Sequence, residues 1–188
     1  MSEAALLSDQ GSAQDITDVV TSERELRAIA GSRLPWLQPR VLTKLDKPCR
    51  QFIAQSPFVV IASTGDDGQV DLSPKGDPAG FVQVLDETTL VLPDRPGNRR
   101  LDTFCNVLKN PGVGLIFFVP GKGETLRISG KAAIVRDRAV REAMAIKGRA
   151  PELALIVRVQ RVFFHCAKCI NRSKLWERAR PGAAELPA

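Results

Sequence analysis

The chain of 188 residues contains no tyrosine and one histidine, and aromatic residues make up only 5% of it. Without tyrosine, no phenolic group can donate a proton, and His165 is the only imidazole. The sequence also lacks a Gly-x-Ser-x-Gly nucleophile elbow, a P-loop and a Gly-x-Gly-x-x-Gly turn. It has no pair of carboxylates at a spacing that would indicate a glycosidase. These absences exclude the common hydrolase, glycosidase and nucleotide-binding motifs, and the sequence identifies no catalytic residue.

Long apolar runs are missing as well. No run approaches the length of a membrane span, and Met1–Leu7 lacks the charged start and apolar core of a signal peptide. Four cysteines without an exported context are typical of reduced thiols rather than of a disulfide framework. We therefore expect a cytoplasmic protein with no membrane partner.

The positive charge is uneven along the chain. Residues 1–25 contain six acidic side chains and one arginine, a net charge of −5. Because the whole chain has a net charge of +6, residues 26–188 have a net charge of +11. A basic globular part favours nucleic acid, an acidic membrane surface or an anionic small ligand. Nucleic-acid binding also needs aromatic residues for stacking, and these are scarce here. We therefore expect a small anionic ligand and no nucleic acid.

The hydrophobic pattern predicts a mainly β protein with inserted helices. A helix is expected from the cap Ser22 to Ala30, after a polar, acidic arm over residues 1–22. We divide the chain into an N-terminal arm with its short helix (1–43), a main domain (44–176) and a C-terminal tail (177–188). About seven antiparallel strands in the main domain suggest a closed or half-closed barrel. The predicted strands are 57–63, 70–73, 81–85, 88–92, 113–119, 125–135 and 153–164, and the predicted helices are 46–55, 98–109 and one from the cap Asp137 to Gly148.

The segment Leu92–Asp102 (LPDRPGNRRLD) is the most informative part of the chain. A strand ends here, a Pro/Gly turn follows, and a helix is predicted with Asn98 as its cap and Arg99 and Arg100 in its first turn. Arginine at this position opposes the helix macrodipole, so the arrangement favours an anion bound at the start of the helix. The alternative is a solvated basic turn.

Three further segments accompany this turn: Asp71–Asp77 (DLSPKGD), Gly123–Gly130 (GETLRISG) and Phe164–Trp176 (FHCAKCINRSKLW). In this order the four segments resemble the FMN-binding split-barrel proteins related to pyridoxamine 5′-phosphate oxidase, and most closely their small bacterial subgroup. The resemblance covers roughly residues 44–176. It implies a six-stranded Greek-key split β-barrel of the FMN-binding type, which forms a homodimer with FMN at the subunit interface.

The resemblance also implies the residues of the site. Basic and polar side chains on the first two segments correspond to phosphate contacts, and neighbouring residues correspond to contacts with the edge and side of the isoalloxazine ring. The implied FMN contacts are Ser73, Lys75, Pro93, Asp94, Asn98, Arg99, Thr125 and Arg127. The implied residues on the side of the substrate or the partner subunit are Lys168, Arg172 and Ser173.

The chain departs from the better-known oxidases of the family. An Arg-rich segment opens the second strand in those enzymes, whereas Asp71–Pro74 stands here. The resemblance therefore implies FMN binding without pyridoxal chemistry, and an oxidoreductase that acts on an undetermined small molecule with NADH or NADPH as a possible donor. The alternatives are a non-catalytic carrier or sensor of flavin or haem, and a protein that uses deazaflavin instead of FMN.

The cluster His165-Cys166-x-x-Cys169 presents three potential metal ligands, whereas structural zinc needs four. His165 and Cys166 are adjacent at a predicted strand end and point to opposite faces, which disfavours joint ligation. We expect no metal, and we favour ordinary packing over a redox dithiol.

Overall fold

The computed structural model describes residues 18–32 and 40–177. Contacts divide the chain into two units, Met1–Gln38 and Pro39–Ala188. In the first unit the described residues form helix α1 (Glu23–Ala30). The Ser22 hydroxyl accepts the Glu25 N–H at 3.2 Å, and the helix ends at Gly31 with φ +80°, so the predicted helix and its cap are confirmed.

Most of the predicted acidic arm and C-terminal tail, residues 1–17 and 178–188, lies outside the described residues. The proposed boundaries at residues 43 and 176 therefore stay predictions. The longest described helix has nine residues, and no described helix is long and apolar enough to cross a membrane.

The second unit contains seven strands and four helices among its described residues. In chain order they are α2 (Lys47–Gln55), β1 (Phe58–Thr64), β2 (Val70–Gly76), β3 (Gln83–Asp86), β4 (Thr89–Pro93), α3 (Asp102–Lys109), β5 (Gly112–Phe118), β6 (Thr125–Val135), α4 (Arg138–Ala143), β7 (Ala154–His165) and α5 (Lys168–Ser173).

All seven strands form one antiparallel sheet in the order β2-β1-β5-β6-β7-β4-β3. The mainly β class and the strand number expected from the hydrophobic pattern are confirmed. The sheet has one strand more than the six that the resemblance implies. β6 and β7 form its longest pairing, which shifts register at Ser129/Gly130.

Alternating burial places one apolar core on the inner face of this sheet. Val59 and Ile61 of β1 are buried, and their neighbours on the strand are more exposed, as the two-residue period of a strand requires. The same core cluster includes buried side chains of β4 and β7, together with Phe52 of α2 and Val107 of α3. The sheet therefore curls around this core, with β1 and β2 facing β4 and β7. A second, smaller cluster contains Val91, Met144 and Ala154.

After β6, one predicted helix is too long and one helix was not predicted. The helix capped by Asp137 ends at Ala143 instead of continuing to Gly148, because Ile146 and Arg149 form a two-residue hairpin with reciprocal backbone hydrogen bonds. Lys147 and Gly148 form its turn with φ of +49° and +74°, values that no α-helix allows. Helix α5, which follows β7, was not expected from the sequence.

Candidate functional site

A cleft of about 850 Å³ opens beside β2 and the loop that follows β4. This volume lies within the range of roughly 300–1,000 Å³ that is typical of ligand pockets. Three segments line the cleft: Asp71–Lys75 of β2, Asp94–Phe104 from the end of β4 into the first turn of α3, and Arg149–Leu153 before β7.

The first wall consists of polar side chains on β2. Ser73 pairs with Ile61 and Lys75 pairs with Val59, so both side chains lie on the inner face of the sheet. Asp71 belongs to the same face and accepts a hydrogen bond from the Thr103 hydroxyl at 3.3 Å. An edge strand therefore places two acceptors and one ammonium group at the cleft.

The second wall is the loop Asp94–Leu101, whose arginines differ in their partners. Arg95 donates to the Asp77 carboxylate at 2.6 Å, and both side chains are largely buried. Arg100 pairs with Asp102 at 2.7 Å. Arg99 forms no hydrogen bond or ion pair with the rest of the described chain. Its guanidinium group is therefore free to bind an anion, whereas its two neighbours are neutralised.

This loop corrects the predicted start of α3. The helix begins at Asp102, and Arg99 and Arg100 precede it instead of forming its first turn. Arg99 and Leu101 have φ of +59° and +58°, so the chain cannot be helical there. Asn98 does not cap the helix, because its side-chain oxygen accepts the Arg100 N–H at 3.1 Å in a local turn.

The third wall, Arg149–Leu153, was missed by sequence reasoning. The hairpin turn at Ile146–Arg149 directs the chain toward the cleft, and Arg141 donates to the Pro151 carbonyl at 3.0 Å. The Leu153 carbonyl accepts the Asp94 N–H at 3.0 Å, which ties this wall to the second one. Glycine at position 148 is the only local signal of the turn, and it is equally compatible with the end of a helix.

Asp94 is the cleft residue with an altered acidity. Partial burial raises the pKa of its carboxyl group above the ordinary value, and the positive charge of Lys75 partly opposes this shift. The neutral form is thereby favoured more than in water. A neutral Asp94 can donate a hydrogen bond and an ionised one can accept it, so the group suits a ligand edge with both donors and acceptors.

The structure brings together five of the eight residues predicted to contact the cofactor: Ser73, Lys75, Asp94, Asn98 and Arg99. Pro93 lines a small adjoining cavity, which it shares with Lys75 and Thr103. The remaining predicted residues do not line the cleft. They are Thr125, Arg127, Lys168, Arg172 and Ser173.

Thr125 and Arg127 lie on the outer face of the sheet. Lys75, Val59, Phe117 and Leu126 form a continuous row of paired residues across β2, β1, β5 and β6. Leu126 therefore faces inward with Lys75, and its two chain neighbours face outward. Three strand spacings separate β6 from β2, a distance of about 14 Å.

Arg127 and Thr125 differ in the groups that surround their side chains. Arg127 stacks on the Phe163 ring, with its guanidinium carbon 5.3 Å from the ring centroid. Thr125 is 2% exposed, and its hydroxyl is the one buried side-chain polar atom of the described residues without a hydrogen-bond partner. A ligand can contact Thr125 only if the groups that cover it move.

Lys168, Arg172 and Ser173 belong to α5, at the end of β7. Ser173 donates to the Ile170 carbonyl at 3.1 Å, an ordinary contact within the helix. His165 pairs with Thr125 at this same end and is likewise absent from the cleft. The described residues contain no group of three or more His, Cys, Asp or Glu side chains that could hold a metal ion.

Comparison with known proteins gives one family. Residues 45–166 match the pyridoxamine 5′-phosphate oxidase family. HupZ from Group A Streptococcus is similar in structure with a TM-score of 0.52 and 20% identity, over 63% of this chain and 92% of HupZ. A candidate pyridoxamine 5′-phosphate oxidase from Lactobacillus delbrueckii has a TM-score of 0.51 and 19% identity, over 68% of this chain and 99% of that protein. At these identities the likeness shows the fold alone, and the search of curated proteins finds no match.

Proposed function

This chain belongs to the pyridoxamine 5′-phosphate oxidase family, and from that premise we propose that its cleft binds FMN for an oxidoreductase reaction on a small organic molecule. The split-barrel architecture of the FMN-binding type and a homodimer are parts of this proposal. The observation that supports it most directly is the guanidinium group of Arg99, which has no hydrogen-bond or ion-pair partner among the described residues and lines a cleft large enough for a ligand.

The chemistry of the second wall fits a phosphate. A phosphate needs several fixed donors to offset its loss of hydration, and Arg offers two parallel N–H groups to its oxygens. Arg99 supplies such a donor, and Lys75 and Arg149 add two further cations to the lining. The Arg95–Asp77 pair contributes rigidity instead of charge, because its two groups already satisfy each other.

The first wall fits the polar edge of a flavin ring. That edge presents one N–H donor between two carbonyl acceptors, and Ser73 and Asp94 can each donate or accept. Haem iron is usually held by His, Cys, Met or Tyr side chains. The lining of this cleft contains no His, Cys or Met, and the chain has no tyrosine, so the cleft offers no usual side-chain ligand for a haem iron. This composition favours flavin over the haem alternative.

The outer face of the sheet supports the homodimer. Apolar side chains there include Phe58, Val60, Ile116 and Phe118, all partly exposed, and Val70 is 67% exposed on the edge strand. An uncovered apolar surface of this kind is typical of an association site. A second copy packed on this face is also the simplest way for Arg127 and α5 to reach a cofactor bound in the cleft of the other copy.

Bound FMN supplies hydride acceptance and donation, which the side chains of this protein cannot provide. The chain itself holds the phosphate through Arg99, fixes the ring edge through Ser73 and Asp94, and shields one side with Arg149–Leu153. NADH or NADPH is the proposed electron donor. His165, the only imidazole of the chain, and Lys168 lie outside the cleft of this chain.

Titration of the apoprotein with FMN, followed by flavin fluorescence, tests the cofactor. Arg99→Ala should weaken binding at least tenfold, because a charged hydrogen bond contributes about 1.5–3 kcal/mol. Arg138→Ala is the matched control, since this exposed arginine of α4 pairs with Glu142 outside the cleft. Failure of the wild-type chain to bind FMN would refute the proposed function. Equal affinity of wild type and Arg99→Ala would remove only Arg99 from the site.

Turnover separates an enzyme from a carrier. The FMN-loaded protein should oxidise NADH or NADPH, and a loaded protein that oxidises neither donor would favour the non-catalytic carrier. Replacement of FMN by a deazaflavin in the same titration tests the third alternative, which predicts weak FMN and tight deazaflavin binding.

A further inference from the structure

We propose that Cys166 and Cys169 form a reversible intrachain disulfide, which makes the junction of β7 and α5 a site of thiol oxidation. This inference is independent of the proposed FMN function. Both thiols are exposed at the end of β7, so the ordinary packing favoured from the sequence is wrong for Cys166 and Cys169.

The backbone brings the two cysteines to bonding distance. The separation of two Cα atoms three residues apart depends on the φ and ψ of the two residues between them, here Ala167 and Lys168. Ala167 has φ −70° and ψ −8°, and Lys168 is the first residue of α5. Helical values at both positions give a Cα–Cα distance of about 5 Å. Disulfides span roughly 4.4–6.8 Å between Cα atoms, so the Cα separation that this backbone implies lies within the range of a disulfide.

The surrounding contacts hold this geometry in the reduced protein. The Asn171 N–H donates to the Ala167 carbonyl at 2.9 Å, which fixes the first turn of α5. Ile170 is buried, and the Trp176 indole N–H donates to the Lys122 carbonyl at 2.7 Å beyond the helix. Glycine at position 123 leaves room for Ala167 and Asn171, with which any larger side chain would collide. The helix is therefore docked at both ends before any bond forms.

The other two cysteines lack a partner of this kind. Cys49 is buried against Asp46, and burial raises the pKa of its thiol to about 12, which makes it unreactive. Cys105 is exposed on α3, far along the chain from the other thiols. The chain thus provides one exposed pair, one exposed single thiol and one inert thiol.

The oxidant is a hydroperoxide or a low-molecular-weight disulfide. With hydrogen peroxide, one thiol becomes a sulfenic acid and one water is released; the second thiol then displaces the hydroxyl group as another water and forms the S–S bond. With oxidised glutathione, one thiolate forms a mixed disulfide and releases one reduced glutathione, and the second thiolate releases the other. Two electrons leave the protein in both cases.

Intact mass and thiol counting after treatment of the full chain with oxidised glutathione test the proposal. The product should be two hydrogen atoms lighter at positions 166 and 169, with a peptide linking them, and a thiol reductant should reverse the change. Cys105 should instead carry glutathione or stay free. The Cys105→Ser variant should behave like the wild type, whereas Cys166→Ser should lose the intrachain product and accept glutathione at Cys169. Alkylatable thiols at both Cys166 and Cys169 after oxidation, or separate glutathione adducts on these two residues, would overturn the proposal.

Discussion

Replacement of Arg99 by glycine should stabilise the apoprotein and weaken FMN binding at the same time. Arg99 has φ +59°, a conformation that costs an L-residue roughly 1–2 kcal/mol and glycine almost nothing. Glycine also increases the conformational entropy of the unfolded chain, and this lowers the free energy of unfolding by about 0.4–1 kcal/mol. The side chain is exposed and makes no hydrogen bond within the described chain, so no packing is lost. The net gain is about 0.8 kcal/mol.

Thermal unfolding without flavin measures this gain. For a unit of this size, 1 kcal/mol shifts Tm by roughly 2–4 °C, so Arg99→Gly should raise Tm by about 2–3 °C. Arg99→Ala keeps the backbone strain and should leave Tm unchanged or lower it. Lys147→Gly is the matched control, because Lys147 has φ +49° in an exposed turn and does not line the cleft.

The FMN titration completes the comparison. Both Arg99 variants should bind FMN at least tenfold more weakly, whereas Lys147→Gly should bind it like the wild type while gaining similar stability. A lower Tm for Arg99→Gly than for Arg99→Ala would refute backbone strain at this position. Unchanged FMN affinity in Arg99→Gly would refute the phosphate contact.

Three further substitutions test the framework of the site. Gly130→Ala places a methyl group against the backbone of β7 at the register shift, and in urea denaturation it should lower the free energy of unfolding by about 3 kcal/mol. Gly114→Ala is the control, because its methyl group would make only an ordinary contact at 3.8 Å, and it should change this free energy little. Asp77→Asn removes the charge partner of a largely buried arginine and should cost about 1.5–3 kcal/mol, whereas Asp66→Asn, from an exposed pair, should cost at most about 1 kcal/mol. Asp94→Asn should raise Tm at pH 7 but not below the ordinary Asp pKa of 3.8, because burial raises the folded-state pKa and stability is lost as pH rises through it. The same Tm difference at both pH values would contradict this assignment.

The sheet was predictable because each strand has its own signal. The apolar segment from residue 125 to residue 135 coincides with β6, and Pro/Gly turns mark its start. The N-cap of α1 was equally clear, since the Ser22 hydroxyl accepts an N–H three residues ahead, and α2 begins within one residue of its predicted start. In these elements, local residue preference and tertiary packing favour the same conformation.

The cleft was predictable only in part, because two of its three walls depend on contacts that residue types do not reveal. Arg99 and Leu101 are not residues that favour a left-handed backbone, so the strained loop had no local signal. The third wall depends on the hydrogen bond between Asp94 and Leu153, which are distant in the chain. The motif identified the loop as important while giving it the wrong conformation.

The two-residue period of β-strands leads to a last prediction, about the number of copies in the site. Lys75 and Arg127 lie on opposite faces of one sheet, so a flavin that contacts both must lie between two chains. FMN binding and dimerisation are then linked by mass action. Phe58→Asp, on the outer face and outside the cleft, should shift the protein toward monomer in sedimentation experiments and weaken FMN binding in parallel. Leu108→Asp, at an exposed position on α3 that also lies outside the cleft, should change neither property. A monomeric Phe58→Asp variant with wild-type FMN affinity would place the whole binding site within one chain and exclude Arg127 from it.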